Sequence, residues 1–173
     1  MFPIASITVG AGGLSAFSFT GIPQNFTHLQ LRVFMKTSIT GNVDSIYMQP
    51  NADSTAADFY AHTLYGNGSS AASSVFANTS MAAYGVSPAN TSTANIFGVA
   101  IIDILDYANT NKYKTIRSIS GHDANGSGIV QLGSELWQST SAITSLAGGA
   151  NVGFLQYSRF DLYGISNSPA TGA

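Results

Sequence analysis

Polar and apolar residues alternate along much of this chain, most clearly over residues 15–36. Phe17 and Phe19 fall on one side and Ser18 and Thr20 on the other, the period of two of a half-buried strand. Gly21, Ile22 and Pro23 interrupt it. Proline has a fixed φ and no N–H to give to a ladder, so Pro23 belongs in a turn. The pattern resumes with Leu29, Leu31, Val33 and Met35 on one face and His28, Gln30, Arg32 and Lys36 on the other. Phe34 alone breaks it. Strands with one apolar face need a second layer to cover that face, so a two-sheet all-β protein is the expected frame.

The same reading extends in both directions. A short strand at 6–9 ends at the glycine-rich stretch 10–13, and one at 44–49 sets Ile46 and Met48 against Tyr47 and Gln49 before Pro50 closes it. Residues 51–58 read as a polar turn with at most one helical turn, and 59–65 as a strand with Phe59, Ala61 and Thr63 on one face. Residues 66–93 are small and polar, but Val75, Phe76, Met81 and Tyr84 are spaced hydrophobes. A structureless loop of that length is foreign to a compact domain, so a short strand at 74–78 and a loop around Pro88 are expected. The longest strand, 94–105, is apolar on both faces, with Ile96, Ala100, Ile102 and Ile104 opposite Phe97, Val99 and Ile101. Such a strand is either covered on both sides or meets another subunit. Strands follow at 112–120, 127–132, 142–146 and 159–165; Gly148 and Gly149 break the chain after the third, and Phe160 and Leu162 point inward in the last. Residues 166–173 read as a frayed polar tail. The expectation is one domain, 1–173, with an all-β, jelly-roll-like two-sheet β-sandwich of about ten short strands.

Composition narrows the function. Charged residues make up 8% of the 173 residues, against a usual ~25%, so the surface is largely neutral and polar. Such a surface repels its neighbours weakly and suits packing against other subunits. A net charge of −2, with Lys and Arg scattered, argues against nucleic acid as a partner. The chain has no cysteine, which excludes disulfides and thiolate metal sites. Its start lacks the basic and apolar regions of a signal peptide, and its longest apolar run is too short to span a bilayer, so no membrane partner is expected.

Candidate chemistry is thin. Glycoside hydrolysis commonly uses a pair of carboxylates. Here Glu135 is the sole glutamate and the aspartates sit mostly beside turns, with Asp103 and Asp106 bracketing the end of the longest strand. Asp58 with His62, and His122 with Asp123, lack the nucleophile elbow that would mark a triad. Asp123, Asn125 and Gly126 resemble the first half of a calcium loop, but Ser134 stands where the bidentate glutamate belongs, and a hairpin turn is the plainer reading. Asn51, Asp53 and Asp58 are a second candidate oxygen cluster. No catalytic residue, metal or cofactor is expected, and the protein reads as a non-enzyme. The aromatics remain: Trp137, Tyr47, Tyr60, Tyr65 and Tyr107 are suited to stacking on sugars, but in a chain this poor in charge the core or a subunit contact is the favoured reading. Tyr65, Phe76, Tyr107 and Trp137 are the candidates for subunit or glycan contact.

Four blocks carry a family resemblance. The first runs from Phe17 through Gly21-Ile22-Pro23-Gln24-Asn25-Phe26-Thr27 to Leu29; the second joins Tyr47-Met48-Gln49-Pro50-Asn51-Ala52-Asp53 to Phe59-Tyr60 and Leu64-Tyr65-Gly66. The third is Gly133-Ser134-Glu135-Leu136-Trp137 with Ala142-Ile143-Thr144-Ser145-Leu146, and the fourth is Arg159-Phe160-Asp161-Leu162-Tyr163-Gly164-Ile165. Together they resemble the β-sandwich virion proteins of tailed bacteriophages, found as capsid decoration (cement) proteins and as tail-fibre or tailspike modules. Phe26 replaces a tyrosine of that pattern, and Pro50, Ala52 and Glu135 also depart from it. The resemblance implies a structural protein on the outer capsid of a virion, a homo-oligomer (a trimer) that bridges subunits of the major capsid protein. The short lead before the first strand favours decoration over a fibre module. The alternative it implies is a receptor-binding module at a fibre tip, with a bacterial surface glycan as partner.

Overall fold

The computed structural model describes residues 1–167 except Ala56, Ser80 and Met81, with backbone alone for Asn78, Thr79 and residues 82–84. Met81, the Tyr84 side chain and the tail beyond 167, on which expectations were placed, lie outside the described residues. Twelve strands form among them: β1 (Phe2–Thr8), β2 (Leu14–Phe19), β3 (His28–Met35), β4 (Val43–Pro50), β5 (Phe59–Gly66), β6 (Ala71–Thr79), β7 (Ala82–Pro88), β8 (Gly98–Ile104), β9 (Lys114–Asp123), β10 (Gly128–Trp137), β11 (Leu146–Phe154) and β12 (Arg159–Ile165). An eight-stranded sheet in the order β1-β12-β3-β8-β9-β10-β5-β6 packs against a four-stranded sheet in the order β2-β11-β4-β7, and every pairing is antiparallel.

Setting aside the hairpins β5–β6 and β9–β10 leaves β1-β12-β3-β8 facing β2-β11-β4-β7. That is the double Greek key of a jelly roll. The two hairpins are insertions that widen one sheet only. β7, at the edge of the small sheet, lies over β9 and β10.

The core follows the alternation in the sequence. Leu29, Leu31, Val33 and Met35 of β3 are buried, as are Ala100, Ile102 and Ile104 of β8 and Phe160 and Leu162 of β12. Phe17 of the small sheet stacks on Phe160 of the large one, 4.3 Å between ring centroids, and Phe154 meets the same ring edge-on at 4.7 Å. These aromatic contacts tie the sheets together beyond simple area burial.

Several expectations are corrected. The chain has more strands than expected, because β7 forms where a loop around Pro88 was read. The strand placed at 142–146 begins instead at Leu146 and runs straight through Gly148 and Gly149. A glycine is needed there because a Cβ at Gly148 would overlap the Phe17 ring. β10 continues through Gly133-Ser134-Glu135 as one strand. No helical turn forms at the described part of 51–58. Lys36, read as outward-facing, is buried; its Nζ donates to the carbonyls of Ser92 (3.3 Å) and Thr93 (2.9 Å).

The two edges of the large sheet differ. β1 carries Pro3 and a register shift between Pro3 and Ala5, both of which disfavour further pairing. β6 is nine residues long, AASSVFANT, with neither charge nor proline.

Candidate functional site

Three surfaces are candidates. The first is the outer face of the large sheet. Cross-strand register places Arg32, Ile101, Ile119, Leu132 and Leu64 in one row across β3, β8, β9, β10 and β5. The neighbouring row sets Phe34 beside Val99, with Val130 two strands further on. Arg32, Arg159 and Asp161 occupy the β12–β3 side of this face, and the row beyond the aliphatic residues is polar, with Gln30, Asp103, Arg117, Ser134 and His62. Leu64, Val99, Ile101, Ile119, Val130 and Leu132 are each between 39% and 55% exposed. At roughly 80 Å² apiece they present on the order of 500 Å², near the upper limit for apolar patches on monomers. Together with the β9–β10 and β5–β6 turns, these strands border a concavity of about 570 Å³. β8 is therefore uncovered on its outer side in the single chain, not buried on both faces.

The second candidate is the end of the sandwich formed by the β2–β3, β4–β5, β8–β9 and β10–β11 connections, where most sequence-derived candidates fall. Trp137 is 2% exposed, with its indole N–H donating to Asp53 Oδ2 at 2.7 Å. Tyr107 is fully buried, and its hydroxyl donates to the Pro23 carbonyl. Neither ring is available to a glycan or to another subunit. Burial raises the Tyr107 pKa. Asn51 is also engaged: Nδ2 donates to the Ala142 carbonyl at 2.8 Å, and Oδ1 accepts from the Thr144 and Ser145 N–H groups. Asp53 is pushed up by burial but pulled below its usual range on balance by hydrogen bonds from Trp137 and Thr55. The proposed oxygen cluster of Asn51, Asp53 and Asp58 is thus occupied with joining loops. Among the described residues no three His, Asp or Glu side chains gather in a way that suits a metal.

The strand expected at 94–105 is the shorter β8, and the carboxylates at its end are also engaged: Asp103 accepts from Gln30 Nε2, and Asp106 meets Lys112 and His28. A hydrogen bond from Lys112 is the main reason the Asp106 pKa is lowered. Lys114, wholly buried, donates to the carbonyls of Asn109 (2.7 Å) and Lys112 (3.1 Å), with longer contacts to Ser139 and Thr140. Burial depresses its pKa. Asp123 accepts from the N–H groups of Asn125 and Gly126 and closes the β9–β10 hairpin as a turn. Tyr65 is half-buried on β5, and Phe76 is 38% exposed on β6, so these two aromatic candidates remain at the surface.

The third candidate is the opposite end, where the β1–β2, β3–β4, β7–β8 and β11–β12 loops meet around a concavity of about 700 Å³. Asn90, Asn95, Gln156, Ser15 and Ser38 line it, with Tyr157 at its rim, 67% exposed. Asn95, Gln156 and Tyr157 were not singled out by sequence. Tyr157 lies in the turn between β11 and β12 with φ 74°, and Asn95 has φ 63°. Nothing in the residue type of Tyr157 announces that backbone, so the turn is legible only from coordinates. The buried Ser92 hydroxyl has no hydrogen-bond partner.

Between the sheets, Glu135 is 2% exposed and accepts from Ser118 Oγ at 3.0 Å. A Cβ at Gly133 would overlap its Oε1, so glycine makes room for the carboxyl group. Burial pushes Glu135 up to about 8, holding the carboxyl group neutral near pH 7. No protein family matches the chain, and no curated protein does.

Proposed function

We propose that the protein is a virion structural protein, a capsid decoration (cement) protein whose copies associate and bridge subunits of the major capsid protein. The observation that carries this reading is the uncovered aliphatic face on β8, β9, β10 and β5. A standard interface takes about 800 Å² from each partner, and its buried centre is about 65% apolar. The patch is large enough to supply that centre, and the charged residues on the β12–β3 side provide a polar rim. The occupant of this face is a second copy of the chain, in a trimer. The trimer then attaches at several points, so each contact with the shell need only be weak. The low charge of the surface and the resemblance to phage decoration proteins support the same reading.

Light scattering on the purified protein should give a trimer, and Ile119→Ser with Leu132→Ser should give folded monomers. A monomeric wild type defeats the association claim. Counting copies in purified particles by quantitative gel tests the location: hundreds per particle agree with decoration, and a handful defeats it. A second reading, a receptor-binding module at a fibre tip, loses Trp137 and Tyr107 as glycan contacts. It draws support instead from the loop-lined concavity at the opposite end.

A further inference from the structure

We propose that the concavity between the β1–β2, β3–β4, β7–β8 and β11–β12 loops is a saccharide-binding site that prefers carboxylated sugars. It stands apart from the aliphatic face, and it holds whether the protein decorates a shell or tips a fibre.

The size fits first. A concavity of about 700 Å³ lies within the usual range of small-ligand sites. Four separate loops build it, so its shape is set by the sandwich and not by one mobile segment.

The side chains fit next. Asn90, Asn95 and Gln156 bring amides that both donate and accept, which is what vicinal hydroxyls require. Ser92 also lines the concavity, with a buried hydroxyl that has no partner among the described residues. Tyr157 presents an exposed ring at the rim, a platform for the C–H face of a pyranose.

The backbone at Tyr157 is the third observation. A bulky residue in the left-handed region is a genuine outlier, strained where glycine would not be. The turn is held there by the Tyr157 N–H donating to the Val9 carbonyl (3.0 Å) and the Val9 N–H donating to the Ser158 carbonyl (2.8 Å). Strain kept at an exposed aromatic is accounted for if the ring itself is used. Asn95, on the β7–β8 loop that lines the same concavity, also has a positive φ.

Charge sets the preference. Lys36 is the one charged residue lining the concavity, and no carboxylate lines it. Its ammonium is buried, is held by two carbonyls and makes no ion pair among the described residues. An uncompensated positive charge in a low-dielectric setting attracts an anion more strongly than the same charge in water. A sugar carboxylate is therefore favoured over a neutral counterpart.

The test uses the full chain. Ligand-observed NMR with glucose and glucuronate as probes, backed by an array of neutral and acidic bacterial glycans, reads binding directly. Glucuronate is expected to bind with a Kd of about 1 mM or tighter, and several-fold more tightly than glucose. Tyr157→Ala should weaken it roughly tenfold or more, and Tyr157→Phe, which keeps the ring, should stay within about threefold. Circular dichroism confirms that each variant is folded. No binding to either probe or to any glycan on the array overturns the proposal, as does binding that Tyr157→Ala leaves unchanged. Glucose binding as tightly as glucuronate overturns the preference. The monomeric Ile119→Ser/Leu132→Ser variant should still bind sugar, so failure of the association reading and failure of this one are separately visible.

Discussion

The two ends of the sandwich use polar side chains in opposite ways. At the β4–β5 and β10–β11 end, Asn51, Asp53, Lys114 and Gln24 each spend their hydrogen-bonding capacity on the chain itself. At the other end, the Ser92 hydroxyl is unpaired and Tyr157 stands out into solvent. Residues that look like chemistry in a sequence concentrate at the first end and are structural there. A polar group whose partners are all internal has nothing left for a ligand, so unpaired capacity marks a site better than residue type does.

The strongest challenge to this contrast is Trp137→Ala. If the first end is structural, the substitution empties a core position and strands Asp53, at a cost of about 3–5 kcal/mol in urea unfolding. A much smaller loss would mean that the indole is not holding the loops together.

Glu135 gives a prediction of similar size but different form. Its folded pKa lies near 8, above the unfolded value of 4.5, so the neutral carboxyl stabilises fully below pH 4.5. That contribution is lost as pH rises through about 8. Glu135→Gln, which cannot ionise, should remove the slope and raise stability at pH 8 by at most about 4 kcal/mol. Thermal melts from pH 4 to about 8.5 check it, and an unchanged slope counts against a neutral buried acid.

Asn51→Ala should cost about 1–3 kcal/mol, because the Thr144 and Ser145 N–H groups lose their acceptor. Tyr157→Ala marks the small end of the scale. It removes an exposed ring, so unfolding should shift by under about 0.5 kcal/mol while sugar binding falls. A large stability loss there would make Tyr157 a structural residue and erase the contrast.

The fold was readable where side chains alternate between large apolar and polar. β3 and β12 are the clear cases: every residue from Leu29 to Met35 keeps its side, Phe34 as an apolar residue on the outer one, and β12 begins and ends at the expected residues. Phe34 is exposed and stacks on Phe97 at 4.8 Å, so its break in the pattern is real. Strands of small residues were not readable. β7 contains too little contrast to show a period, and β11 carries two adjacent glycines that read as a break. Close packing of an aromatic against one of them explains the choice, and that is a tertiary fact. Lys36 lies just past the end of β3, where strand parity no longer predicts direction, and carbonyls of a distant loop draw it in. Trp137 and Tyr107 show the limit for sites: aromatic residues serve core and surface alike, and only their partners tell which. Tyr157 shows the converse, since its importance lies in a backbone angle that residue type does not encode.

The free margin at β6 has a practical consequence. Nine uncharged residues with no strand on their far side among the described residues can act as a template for a neighbouring molecule, and a jelly roll that exposes such a margin is prone to filament growth when concentrated. A lysine at Ser73 would interrupt that templating and keep preparations clear, and turbidity during concentration would show whether this margin, and not the aliphatic face, is what makes the protein sticky.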